Sequence, residues 1–110
     1  MHYDREYKRY SPRSSVQAID GILGDTLGYL INISKGGFLL ACQGKCPQPS
    51  AIYQLHILDA DNHAPDFHVG ATCLWRDEAS AANSHWCGFQ IIDISPQDKV
   101  KLNDYIETLM

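Results

Sequence analysis

The residues best equipped for chemistry are two arginines near the start of the chain, Arg9 and Arg13, four positions apart, with Arg5 and Lys8 close by. A guanidinium is a planar, permanently charged fork of donors, well suited to gripping anions. Taken alone, the pair also fits an ordinary solvated face. Downstream, Asn32-Ile33-Ser34-Lys35-Gly36-Gly37 sets an amide and a hydroxyl two positions apart, ahead of a glycine turn. On a strand, such residues share a face at a spacing of roughly 6–7 Å.

Other chemistries find little support. The histidines at positions 2, 56, 63, 68 and 85 are scattered over segments of different type. No serine sits in a nucleophile elbow, and no glycine-rich loop has the spacing that cradles a nucleoside triphosphate. Asp59 and Asp61 could bind a divalent ion, but two acids in a polar loop read more simply as solvated. The chain is therefore expected not to be an enzyme, and to carry no metal and no cofactor. Cys42, Cys46, Cys73 and Cys87 could form two disulfides only in an oxidising compartment. No export signal is evident, so a cytoplasmic location with reduced thiols is expected. Cys42-x-x-x-Cys46 lacks the C-x-x-C spacing of zinc knuckles, and Cys73 and Cys87 read as small buried hydrophobes. Metal binding by these thiols with a histidine stays as an alternative.

The chain has 110 residues, 45% of them apolar and 20% charged, as in one globular domain. No apolar run is long enough for a transmembrane helix, so membrane insertion is not expected. A formal charge of −4 argues against DNA or RNA as partners, because phosphate polymers need a basic face. The charge is unevenly placed. Residues 1–13 carry four basic and two acidic groups, whereas residues 14–110 carry five basic and eleven acidic ones. A short basic arm on an acidic body suits a small anionic ligand.

The elements that must position these groups are mostly strands. The arm, residues 1–13, has no apolar periodicity and is expected to be flexible until something holds it. Residues 14–110 read as one domain, with strands over 15–19, 26–34, 38–41, 52–58, 69–75 and 86–94 separated by turn residues. In the second, alternation puts Tyr29, Ile31 and Ile33 in the core, and Leu30, Asn32 and Ser34 outside. Trp75 shares parity with Val69, Ala71 and Cys73, and Trp86 reads as structural. At the end, an N-cap Ser95, Pro96 and Asp98 start a helix over 96–109, with Leu102, Tyr105, Ile106 and Leu109 on its apolar stripe. The fold class is mainly β, an antiparallel barrel or sandwich closed by one helix.

The order Arg9-x-x-x-Arg13, a strand, then Asn32-x-Ser34-x-x-Gly37 resembles the PilZ domain, whose signatures are R-x-x-x-R and [D/N]-x-S-x-x-G. The segment CGFQIIDISPQDKVKLNDYI is similar to the family's usual ending. The resemblance implies a six-stranded antiparallel β-barrel, a flexible arginine-bearing arm before it, and cyclic di-GMP as ligand. Arg9 and Arg13 would clamp phosphate, grip guanine O6 and N7, or stack on a base. Asn32 would meet a guanine edge, Ser34 would donate its hydroxyl to ligand oxygen, and Gly37 would let backbone approach a base. Asn32 stands where aspartate is commoner, a change that removes a charge. Lys8 stands where the family's arginine accompanies an intercalated ligand dimer and an apolar residue accompanies a single molecule. Trp75 reads equally as core or as a base-stacking ring, and Arg5 as solvation or a further phosphate contact. What the resemblance implies is a receptor whose arm orders on ligand and signals in trans to a protein effector of motility, pili or exopolysaccharide and biofilm control. A nucleotide-independent interaction adaptor of the same fold and a zinc or thiol-redox protein are the alternatives.

Overall fold

The computed structural model describes residues 7–44, 46–62, 64–77 and 84–110. Six strands are present: β1 (Gln17–Asp20), β2 (Thr26–Ile33), β3 (Gly37–Gln43), β4 (Ile52–Leu58), β5 (Asp66–Asp77) and β6 (Ser84–Asp93), followed by helix α1 (Pro96–Leu109). Every neighbouring pair is antiparallel, and the order β1-β2-β3-β6-β5-β4 closes on itself through β1 and β4. Closure leaves no free sheet edge, so the barrel must bury its inward side chains. Phe38 and Phe89 stack at 5.4 Å between ring centroids, and Tyr53 meets Phe89 edge-on at 6.1 Å. Leu40, Leu55, Ile57, Phe67 and Val69 complete the centre.

Three of the four cysteines belong to this core. Cys42, Cys73 and Cys87 are free thiols with no exposed surface. Contact with the Cys42 thiol, reinforced by burial, pushes Cys87 up to about 12, and the Cys87 contact with burial pushes Cys73 higher still. Such thiols stay protonated and pack as small hydrophobes. Among the described residues, no group of three or more His, Cys, Asp and Glu side chains is arranged to hold a metal ion.

Register shifts occur at several points in the barrel, and two of them bear on the outer wall, one on β2 and one on β5. In β2, Leu30 faces Leu40 and Asn32 faces Leu39, so Ile31 is an extra residue opposite none. This bulge resets the parity. Leu30 and Ile33 both point inward, while Tyr29, expected in the core, is 45% exposed. Ser34, expected outside, is fully buried just past the strand end. In β5, Cys73 faces Phe89 and Trp75 faces Gly88, making Leu74 the extra residue. Trp75 therefore leaves the parity of Val69, Ala71 and Cys73 and is not part of the core cluster.

The helix begins as its capping signals require. The Ser95 hydroxyl accepts from the Asp98 N–H at 3.0 Å, and Pro96 occupies the first turn. Leu102, Tyr105 and Ile106 are buried, and α1 packs chiefly on β5. No described helix is long and apolar enough to cross a membrane. The Tyr105 hydroxyl is buried with no hydrogen-bond partner among the described residues. Burial, with a smaller contribution from the Asp59 charge, raises Tyr105 to about 12.

Two consequences can be measured. An unpaired buried hydroxyl costs about 1–3 kcal/mol, so Tyr105→Phe should raise the urea midpoint without changing its slope. A phenol held at about 12 when folded, against 10.0 when free, stabilises the fold fully below pH 10 and loses that contribution as pH climbs to 12. Tyr105→Phe should remove this part of the alkaline transition. An unchanged midpoint and an unchanged alkaline limb would show that the hydroxyl is solvated after all.

Candidate functional site

The leader is tied to the barrel by the protein itself. Tyr10 and Ile33 exchange two main-chain hydrogen bonds of 2.9 Å each, extending the β2 ladder outward by one pair. Next to this bridge, the Arg9 guanidinium donates to the Asn32 side-chain oxygen. Further on, the Ser14 hydroxyl donates to the carboxylate of buried Asp59. Asp59 also accepts from the Asn62 side chain at 2.9 Å and from two backbone N–H groups. The Ser14 bond, then the Asn62 bond, holds Asp59 below the usual carboxylate range against the opposing effect of burial. The arm over residues 1–13 is expected to be flexible until something holds it; among its described residues, Arg9 and Tyr10 are paired with β2. Lys8 sits over the Tyr10 ring at 5.7 Å, within cation–π range. Arg5 lies outside the described residues.

On the barrel, Asn32 begins an outward row. It faces Leu39 on β3, Leu39 faces Gly88 on β6, and Gly88 faces Trp75 on β5. At about 4.8 Å per strand, the row spans about 14 Å of wall. Its far end is an indole lying flat across a glycine. A Cβ at Gly88 would come within 2.3 Å of Trp75 Nε1. Trp75 thus belongs to the outer wall, in the same row as Asn32, although its parity in sequence matched the core.

The motif turn has its own internal logic. The buried Ser34 hydroxyl accepts from the Gly36 and Gly37 N–H groups, each at 3.2 Å, and lies 3.3 Å from the Gly37 carbonyl oxygen. The Ser34 N–H also donates to that carbonyl at 2.8 Å. Ser34 therefore braces the turn that joins β2 to β3. Gly37 lies where β6 crosses: a Cβ there would stand 2.2 Å from the Phe89 carbonyl oxygen. The close approach that requires glycine is by the protein's own backbone. Beside this turn is a pocket of about 470 Å³, lined among others by Tyr7, Lys35, Gly36, Gln90 and Lys99. Lys35 and Lys99 were not singled out from the sequence. They are 64 positions apart, and they meet in one pocket where the end of β6 leads into the start of α1 beside the β2–β3 turn.

Arg13 is not gathered with the others. It lines a separate groove of about 510 Å³, with Pro65, Asp66 and the α1 side chains Lys101, Tyr105 and Thr108. The structure thus joins Arg9 to Asn32, aligns both with Trp75, sets Ser34 and Gly37 beneath, and leaves Arg13 around the barrel toward β4. The row and the lysine pocket form one surface with polar donors, an aromatic plane and several cations. Such a surface can hold a phosphate-bearing ligand with a flat base.

A family model described as the PilZ domain matches residues 3–108. Among solved structures, the chain superposes on the PilZ domain of Escherichia coli YcgR with c-di-GMP at a TM-score of 0.72 and 20% identity, covering 96% of this chain and 90% of that one. YcgR of Escherichia coli in complex with c-di-GMP matches at 0.70 and 19%, covering 96% of this chain and 45% of that one. The Bacillus subtilis inhibitor of motility, MotI/DgrA, matches at 0.69 and 20%, covering 94% and 50%. The chain therefore spans about half the length of these last two proteins. No curated protein sequence matches.

The two glycines should respond differently to a methyl group. Gly37→Ala pushes against a backbone carbonyl in a closed sheet and should cost about 1–3 kcal/mol of stability with no ligand added. Gly88→Ala pushes against a side chain that can swing, so it should shift the Trp75 indole N–H resonance with a smaller loss. Full stability in Gly37→Ala would mean that β6 is not what demands glycine there.

Proposed function

The chain belongs to the PilZ domain family, and from that premise we propose that it is a cyclic di-GMP receptor signalling to a protein effector. The observation that carries the reading is the Arg9–Asn32 hydrogen bond, which joins the two separated halves of the family's motif on one wall. The nucleotide lies along the row from Asn32 to Trp75. Arg9 is poised at one end, and Asn32 offers its amide to a guanine edge. Trp75 supplies a stacking plane, worth about 1–3 kcal/mol per base. Ser34 acts by holding the turn that presents backbone groups to the ligand, and Gly37 keeps that turn against β6. Lys35 and Lys99 add positive charge beside it, and Lys8 supplies a further cation that favours two stacked ligand molecules.

Arg13 is the moving part. Leaving its groove at α1 for the ligand pulls on the Ser14–Asp59 bond and reshapes residues 10–14, and that rearrangement is the signal. Because Arg9 is already held beside Asn32, placing it adds little to the entropic cost of binding. We infer that the effector belongs to motility, pili or exopolysaccharide control, in keeping with the similarity to a protein named inhibitor of motility. The free thiols support a reducing cytoplasm as the site of action. Recognition, not catalysis, is the activity.

Calorimetric titration with cyclic di-GMP tests this. A micromolar complex, about −8 kcal/mol, is expected. Arg9→Ala or Arg13→Ala should weaken it about ten- to hundredfold, since each removes a charge-assisted contact. Arg13→Lys should recover little, because an ammonium lacks the planar fork. The titration endpoint reports one or two molecules per site. Binding that survives loss of both arginines unchanged would overturn the proposal.

A further inference from the structure

Outside the row just described, the same wall carries an exposed aromatic pair without a task. Tyr29 on β2 faces Ala41 on β3, and Ala41 faces Trp86 on β6. Tyr29 is 45% and Trp86 43% exposed, large values for rings that could have turned inward. Two strand spacings place them about 10 Å apart with a methyl group as the floor between them. A groove of about 350 Å³ opens on the Tyr29 side of the row, lined by Leu27, Tyr29, Ala41 and Gln43. Exposed Tyr and Trp around a small residue form the kind of anchor that dominates protein interfaces, because rigid rings bury much area at little entropic cost.

We propose that the row Tyr29–Ala41–Trp86 is the docking face for a protein partner with a basic surface and a leucine- or tryptophan-sized side chain that enters the notch. Charge at the row selects this occupant: Asp77 on β5, exposed, faces Trp86 at the end of the row, so a carboxylate borders the aromatic pair where a basic partner can meet it. Position gives the face its link to the site. Ala41 and Trp86 are each two residues along their strands from Leu39 and Gly88, so this row lies one repeat, about 6–7 Å, above the Asn32–Trp75 row. On the receptor reading given above, on which this link rests, bound cyclic di-GMP adds two negative phosphates immediately beside the face. Partner affinity then rises with occupancy, through Coulomb attraction and direct contact with the nucleotide.

The probes are three synthetic amphipathic peptides of about 18 residues, long enough to be helical: Lys/Leu, Lys/Ser and Glu/Leu. Each is titrated into the full chain with and without cyclic di-GMP, followed by fluorescence anisotropy and backbone amide shifts. The Lys/Leu peptide should shift the amides of Tyr29, Ala41 and Trp86, and bind about threefold or more tightly with the nucleotide present. Tyr29→Ser and Trp86→Ser should each weaken it about tenfold while nucleotide affinity stays unchanged. Equal binding to both variants, shifts confined to another surface, or equal binding of the Glu/Leu peptide would overturn the proposal. So would a concentration-dependent dimer abolished by Trp86→Ser, since the occupant would then be a second copy. If cyclic di-GMP gives no heat but the Lys/Leu peptide still maps to this row, the docking face stands and the receptor reading falls. If the nucleotide binds and no peptide touches the row, the reverse holds.

Discussion

The wall facing solvent between β2 and β5 owes its character to two single-residue bulges, at Ile31 and Leu74. A strand pleat has a period of two, so one inserted residue exchanges inside for outside for everything beyond it. On β2 the insertion lets Tyr29 and Asn32 both face outward while Leu30 and Ile33 both fill the core. On β5 it leaves Cys73 inside and turns Trp75 out across Gly88. Neither ring would be available on an unbroken ladder. Closure of the barrel makes such insertions durable, because each flanking residue is pinned by a partner on both sides.

The leader takes its place from the same geometry. The end of β2 still has main-chain groups to satisfy, and Tyr10 satisfies them by pairing with Ile33. That pairing carries Arg9 to Asn32 and directs the chain toward Asp59, where Ser14 meets a buried carboxylate. Each tie supports the next, and the Tyr10 ring adds packing against the core cluster. A segment held in this way is suited to rearrangement, because breaking one polar tie costs far less than opening the core.

Electrostatics gives the molecule a direction. Positive charge is concentrated in the leader and beside the Ser34–Gly37 turn, on a body that is otherwise acidic. On the proposed reading, an anionic ligand drawn to this side would make it more negative and alter what the neighbouring aromatic pair can attract, so ligand capture and partner choice would be neighbouring events on one sheet.

Much of this was legible in the amino-acid order. Gly, Pro and Asn punctuation marked all six strands, with β4 and α1 matching their observed bounds, because turn chemistry and helix caps are local properties of neighbouring residues. The motif spacing from Arg9 to Gly37 pointed to the family for the same reason, and the PilZ family model covers nearly the whole chain. Tertiary structure alone decided which way Tyr29, Ser34 and Trp75 face, since a bulge is set by the partner strand and leaves no mark on its own residues. It also decided that Ser34 braces a turn, that Gly37 yields to β6, and that Lys35 and Lys99 share a pocket. Residues far apart in the chain meet only when the barrel closes, and closure is a property of the whole sheet, not of any one segment.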